Sequence, residues 1–238
     1  MKLFVGIAAG ALCALAQLSA APVTWVDWTS GTTGNNATAT GNLTVDGTNV
    51  TVNYAGQIAF IQTSGGTNYW NPSTPYISGL VDNAPSTTDI IANSTASVKT
   101  LTFSQPVDNL FFAVVSLNGN GYRFSQDFDI VSTGCGYWGC GGLTKVVSGG
   151  TFDLNSTGGE PHGVIRFNGA VSSITWTSLT NEFWNGFTVG TYGLAQQQPG
   201  PGPERGPAAV PEPSSIALAG LALVGMSGTY RLRRRSRS

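Results

Sequence analysis

The chain has 238 residues, of which 41% are hydrophobic and only 10% charged, and its formal net charge is −1. That total averages unlike segments. Between Ala21 and Leu194 four basic side chains (Lys99, Arg123, Lys145 and Arg166) stand against ten acidic ones, a charge of −6, while Arg231, Arg233, Arg234, Arg235 and Arg237 crowd the last eight residues. An acidic, lysine-poor domain argues against nucleic acid as a partner and favours cations or neutral polar molecules such as sugars.

Residues 1–20 carry one lysine, Lys2, then an apolar run from Leu3 to Leu18 and small residues at Ser19 and Ala20. This predicts a secretory signal peptide cut after Ala20, which removes Cys13 with it. Residues 21–194 then form one domain, long enough to bury its own core.

That domain reads as all-β. Helix formers are sparse, and Gly, Thr, Ser and Asn dominate. Leu43, Val45, Val50, Val52 and Tyr54 mostly alternate with polar residues around Asp46-Gly47, the pattern of a tight hairpin. Val98 to Phe103 predicts a strand that ends at Ser104-Gln105-Pro106. Leu110 to Leu117 is a continuous apolar run, as expected of a central strand. Further strands are expected at 122–131, 143–147, 151–154, 163–167, 173–177 and 186–191. Short strands at this spacing with Gly-rich turns predict an antiparallel β-sandwich or jelly roll.

Four features bear on chemistry. Cys135 and Cys140 are close enough in an exported chain to oxidise to each other, pinning a loop that displays Tyr137 and Trp138; free thiols are the alternative, and two thiolates alone make a poor metal site. Asp127 and Asp129, two apart on an expected strand, share a face. With loop carbonyls they are a candidate calcium site, against the plainer reading of a solvated strand face. Glu160 and His162 follow in Gly-Gly-Glu-Pro-His-Gly, where a lone loop histidine reads as surface. Aromatic rings on loops (Tyr69, Trp70, Tyr76, Tyr137, Trp138 and Trp184) are candidate sugar platforms, Tyr137 and Trp138 foremost; Trp70 and Trp184 equally suit plugs at the ends of a sandwich. The Asn-X-Thr triplets at Asn36, Asn42, Asn49, Asn93 and Asn155 read as ordinary β-rich composition.

Catalysis has little support. The sequence holds no Gly-x-Ser-x-Gly elbow, no His-Glu-x-x-His and no phosphate loop. Glu160, Glu182 or Asp129 can be nominated as paired carboxylates of a glycosidase, but their spacing singles out none of them. No cofactor is expected beyond the candidate calcium.

From Ala195 to Ala209 the composition turns to Pro, Gly and Gln, which builds an extended linker rather than a core. Pro211-Glu212-Pro213 follows, then an uncharged stretch from Ser214 to Tyr230 that reaches roughly 26 Å as a helix, marginal for a bilayer. The five arginines beyond it suit the cytoplasmic side. Triplet, short apolar segment and basic tail, in that order, resemble the PEP-CTERM sorting signal of Gram-negative bacteria. The resemblance implies an exosortase-type processing enzyme as partner, transient anchoring in the inner membrane, and a cell-surface or matrix destination with a link to extracellular polysaccharide. Phe103–Leu117 and Trp184–Gly190 also resemble strands of exported bacterial β-sandwich proteins that carry this tag. The resulting expectation is a non-enzymatic envelope or matrix protein, with a secreted glycan hydrolase as the alternative.

Overall fold

Asp46 and Gly47 both adopt the left-handed conformation, with φ of 49° and 75°, as a two-residue hairpin turn requires. Val45 pairs with Thr48 across the turn, and the ladder runs back to Thr38 opposite Ala55. The hairpin expected from the sequence is thus present in the computed structural model, which describes residues 22–196. The expected signal peptide, nearly all of the linker, the sorting triplet and the membrane segment lie outside the described residues. Among the described residues no helix is long and apolar enough to cross a membrane.

In chain order the strands are β1 (Thr24–Trp25), β2 (Asp27–Gly31), β3 (Gly34–Val45), β4 (Thr48–Ile58), β5 (Phe60–Gln62), β6 (Ile90–Asn93), β7 (Val98–Val115), β8 (Gly121–Phe124), β9 (Asp129–Gly134), β10 (Gly141–Ser148), β11 (Thr151–Gly159), β12 (His162–Ser178), β13 (Asn185–Thr191) and β14 (Gly193–Leu194). One 3-10 turn spans Thr74–Tyr76. The fold is all-β and antiparallel, as expected. Its strands join one hydrogen-bonded open sheet along the path β10-β11-β8-β12-β7-β13-β6-β5, with β1, β2, β3, β4, β9 and β14 attached to its flanks.

Two long strands unite the sheet, and they correct the sequence reading. The strand expected to stop at Pro106 and the run starting at Leu110 are both parts of β7; the segments 163–167 and 173–177 are both parts of β12. Their mutual register slips between Phe167 and Ala170 and again between Val171 and Ser173. Such bulges bend a strand without ending it. Pro106 falls between Thr102 and Val107, where β7 has no partner on β12, so its missing N–H costs no ladder bond.

Past the bend both strands change neighbours. The first half of β7 lies between β4 and the second half of β12, and its second half lies between β13 and the first half of β12. The two halves cover one core. Phe112 meets Trp176 at 5.3 Å between ring centroids, and Tyr54 meets Phe187 at 5.7 Å. Burying rings of this size against each other supplies much of the apolar stabilisation of the domain.

The run at 110–115 alternates between two cores. Leu110, Phe112 and Val114 join this central cluster. Phe111, Ala113 and Val115 join a second one, with Trp70, Tyr76 and Ile90, under the long connection between β5 and β6. A strand buried on both faces has no polar side, which is why its sequence shows none. On the far half of the sheet the outward positions are polar: Thr40, Asn53, Thr102 and Ser173 line up across β3, β4, β7 and β12.

The strand expected over 122–131 is broken at Ser125–Phe128. The Asp127 carboxylate accepts the Phe128 N–H at 2.7 Å, a local turn that competes with a ladder. Phe128 thereby drops into the core beside Phe124, 5.4 Å away.

Candidate functional site

Register dictates which connections meet. Val115 lies opposite Gly186, Val114 opposite Gly163, and Gly134 opposite His162. The end of β7, the end of β9 and the starts of β12 and β13 therefore share one edge. The connections there carry Ser116 and Asn118, Trp138, Glu160, and Glu182, Phe183 and Trp184, and together they line a cleft of about 370 Å³.

Glu160 stands on the two-residue link between β11 and β12. Gly159 before it has φ of 61°, and a Cβ there would lie 2.0 Å from the Cys140 carbonyl oxygen, so the approach is open only to glycine. The Glu160 N–H donates to that same carbonyl at 2.9 Å, fastening the carboxylate's backbone to the cysteine loop. Ser116 Oγ donates to one carboxylate oxygen and Asn118 Nδ2 to the other, the latter at 2.6 Å. Ser116 is held at φ of 57°, a strained conformation for a residue other than glycine.

Glu182 is half-buried on the link between β12 and β13. Burial pushes its carboxyl up to about 7, with the negative charge of Glu160 adding to the rise and the amides of Asn185 and Asn120 opposing it. Near neutral pH this group is therefore partly protonated beside Glu160.

Cys135 and Cys140 are joined in a disulfide, as expected. Within its loop the Gly136 N–H donates to Gly139 O at 2.8 Å, and Trp138 is presented 53% exposed. Trp138 packs edge-on to Tyr137 at 4.9 Å and lies 6.4 Å from Trp184. Tyr69 bridges Tyr137 and Trp184, at 5.1 and 5.0 Å. The two expected sugar platforms thus differ: Trp138 lines the cleft, while Tyr137, itself 43% exposed, packs between Trp138 and Tyr69. Phe183, which the sequence did not single out, is 93% exposed at the cleft. Trp70 and Tyr76 are buried and belong to the second core.

Asp127 and Asp129, the candidate calcium ligands, are both engaged by protein groups: Lys145 binds Asp127 at 2.8 Å, and Asp129 takes Arg166 at 3.1 Å and Asn168 at 2.8 Å. Those partners hold both carboxyls below their ordinary values, the Lys145 hydrogen bond first for Asp127 and the Asn168 bond first for Asp129. A cation would have to displace all three. No cluster of three metal-ligating side chains occurs among the described residues. His162, read as a surface residue, is fully buried, with Nδ1 3.0 Å from the Tyr76 hydroxyl.

The described cations are all committed elsewhere. Arg123 grips Asp153 through two nitrogens at 2.8 and 2.7 Å, Lys145 and Arg166 hold the aspartates just named, and Lys99 donates to the carbonyls of Thr95 and Ser97 at 2.8 Å each. Burial lowers the Lys99 amine to about 8. Among the described residues no basic side chain lines the cleft.

Comparison with known proteins bears on the C-terminus. Residues 209–235 match the family model of the PEP-CTERM protein-sorting motif, a span that takes in Pro211, Glu212, Pro213 and the arginines Arg231, Arg233, Arg234 and Arg235. No curated protein and no solved structure matches the chain. By that motif the chain is a PEP-CTERM protein, exported and held transiently at the membrane on its way to the cell surface, with an exosortase as its processing partner.

Proposed function

We propose that the exported domain is a non-enzymatic glycan-binding protein of the cell envelope or extracellular matrix, working through the cleft at the β7, β12 and β13 edge. The observation that carries this reading is the joining of Trp138, Phe183 and Trp184 with the oxygen and amide groups of Ser116, Asn118 and Glu160 around one open cleft. Aromatic faces pack on the apolar faces of sugar rings, and polar groups beside them take the hydroxyls. Extracellular polysaccharide is the partner this chemistry suits in the compartment the motif assigns. The sheet, doubled over one core, serves as a β-sandwich or jelly-roll scaffold for the cleft.

The remaining segments complete the route. Residues 1–20 act as a signal peptide, 195–209 as a spacer and 214–230 as the temporary membrane segment, in a Gram-negative envelope where the exosortase cuts near Pro211-Glu212-Pro213. Replacing that triplet by alanines should leave the protein in the inner membrane; unchanged release of the mutant rejects this route.

A second reading has one observation in its favour. Glu182, raised to about 7, and Glu160, fixed by two donors, line the same cleft, and two carboxyl groups in unlike environments are the equipment of glycoside hydrolysis. A glycan array probed with the full chain, with reducing-sugar release measured on every hit, separates the two. Binding without release supports the non-enzymatic reading. Release that disappears in both E160Q and E182Q supports the hydrolase.

A further inference from the structure

We infer that the cleft selects glycans bearing protonated amino groups, hexosamine units without an N-acetyl cap, over their neutral counterparts. The inference rests on the glycan-binding reading above and names the chemistry of its ligand. Its ground is a charge that the protein leaves open. The four described cations each have partners of their own, while Glu160 and Glu182 share a partly buried cleft that no cation among the described residues lines.

The carboxylates retain acceptor capacity for such a ligand. Each has about four lone-pair sites. Ser116 and Asn118 occupy one on each oxygen of Glu160, and the amides of Asn185 and Asn120 take at most two on Glu182. An ammonium placed between the two acids completes them without displacing any protein bond. The walls act in the same sense, because the faces of Trp138, Trp184 and Phe183 attract a cation through the ring quadrupole. A uronic-acid polymer meets the opposite situation: its carboxylates face two acids and no base. A neutral sugar keeps the stacking and forgoes the charge pairing.

Proton linkage gives the inference a signature. A cation bound between the acids favours the ionised form of Glu182, so binding to the free cleft below about pH 7 must expel a proton. With a ligand whose own charge does not titrate, affinity rises as pH rises through that value.

The experiment uses three soluble oligosaccharides of one length: a glucosamine oligomer, its fully N-acetylated form, and its N,N,N-trimethyl form with a permanent charge. Titration calorimetry on the full chain should show the glucosamine oligomer binding about tenfold more tightly than the acetylated one at pH 6.5. The trimethyl oligomer should gain up to about tenfold between pH 6 and pH 8, the limit for one linked proton. In E182Q that pH dependence should vanish, and in E160Q the glucosamine and acetylated oligomers should bind alike. Equal affinity of cationic and acetylated oligomers for the unmodified chain overturns the amine selectivity and leaves glycan binding standing. Failure of all three to bind, together with a silent glycan array, overturns both.

Discussion

The Tyr76 hydroxyl meets Nδ1 of His162 at 3.0 Å inside the protein, joining the long cover between β5 and β6 to the first residue of β12. Burial lowers the histidine from 6.5 to about 4. The folded state therefore resists a proton that the unfolded chain accepts below pH 6.5, and stability should fall as pH drops from 6.5 to about 4. The loss at the acid end is up to about 3 kcal/mol. Urea midpoints measured from pH 7 to pH 4 check this, and the acid limb should flatten in H162Q; an unchanged limb in that variant refutes the assignment.

Glu182 works in the opposite direction. Its folded value of about 7 lies above the ordinary carboxyl value, so the unfolded chain ionises first, and stability should decline as pH rises from about 4.5 through 7. E182Q removes that penalty. Its melting temperature should exceed that of the unmodified protein by a few degrees at pH 8 and match it at pH 5. A difference that is the same at both pH values would falsify the proposed cause.

Opening the Cys135–Cys140 loop by the double substitution C135S/C140S should lower stability by about 2 kcal/mol, the loop-closure value for so short a ring. Glycan affinity should fall further than stability does, because the ring aims Trp138 into the cleft. G136A tests the same seat with the disulfide intact. Its Cβ would lie 2.3 Å from Cγ of the His162 ring, so the loop must shift outward. Calorimetry and binding, measured on both proteins, give the comparison.

Phe112 stacks on Phe187 at 4.9 Å and meets Trp176 edge-on at 5.3 Å. F112A removes the ring on which both halves of the sheet close, and should cost about 3–5 kcal/mol in urea denaturation. A loss below 1 kcal/mol would mean that the core closes over the missing ring.

Calcium should have no effect. With Asp127 and Asp129 committed to Lys145, Arg166 and Asn168, millimolar calcium or a chelator should leave the melting temperature within about 1 °C. A rise of several degrees on adding calcium would place a cation at these two aspartates.

Much of the scaffold was readable where one face of a strand meets water. The β3–β4 hairpin announced itself through Asp46-Gly47 and its alternating arms, and the apolar run at 110–115 declared a strand with no wet side. The misreadings occur where the chain bends. Pro106 punctuates a sequence, yet at a bulge its lost N–H has no ladder partner to disappoint. Asp127 and Phe128 alternate well enough for a strand, and a side-chain turn intervenes. The cleft was less legible. Glu160 and Glu182 were nominated from composition, but they meet only because β12 starts and β13 starts at one edge, a consequence of long-range register. Ser116 left no trace in the sequence, since nothing in its residue type signals a left-handed backbone. Phe183 stands outside any periodic pattern and could be found only by its exposure.

The placement of β14 has a mechanical consequence. A pull applied to the chain at Ala195 first meets two pairs, Gly193 with Asp108 and Leu194 with Val107, together with the Ala195 N–H on the Pro106 carbonyl. Those contacts can peel one at a time. The load then reaches β13, which is gripped by β7 on one side and by β6 and β1 on the other. Rupture there must break several ladders together, so a short yielding segment precedes a stiff one, and the binding edge stays assembled while its anchor gives way.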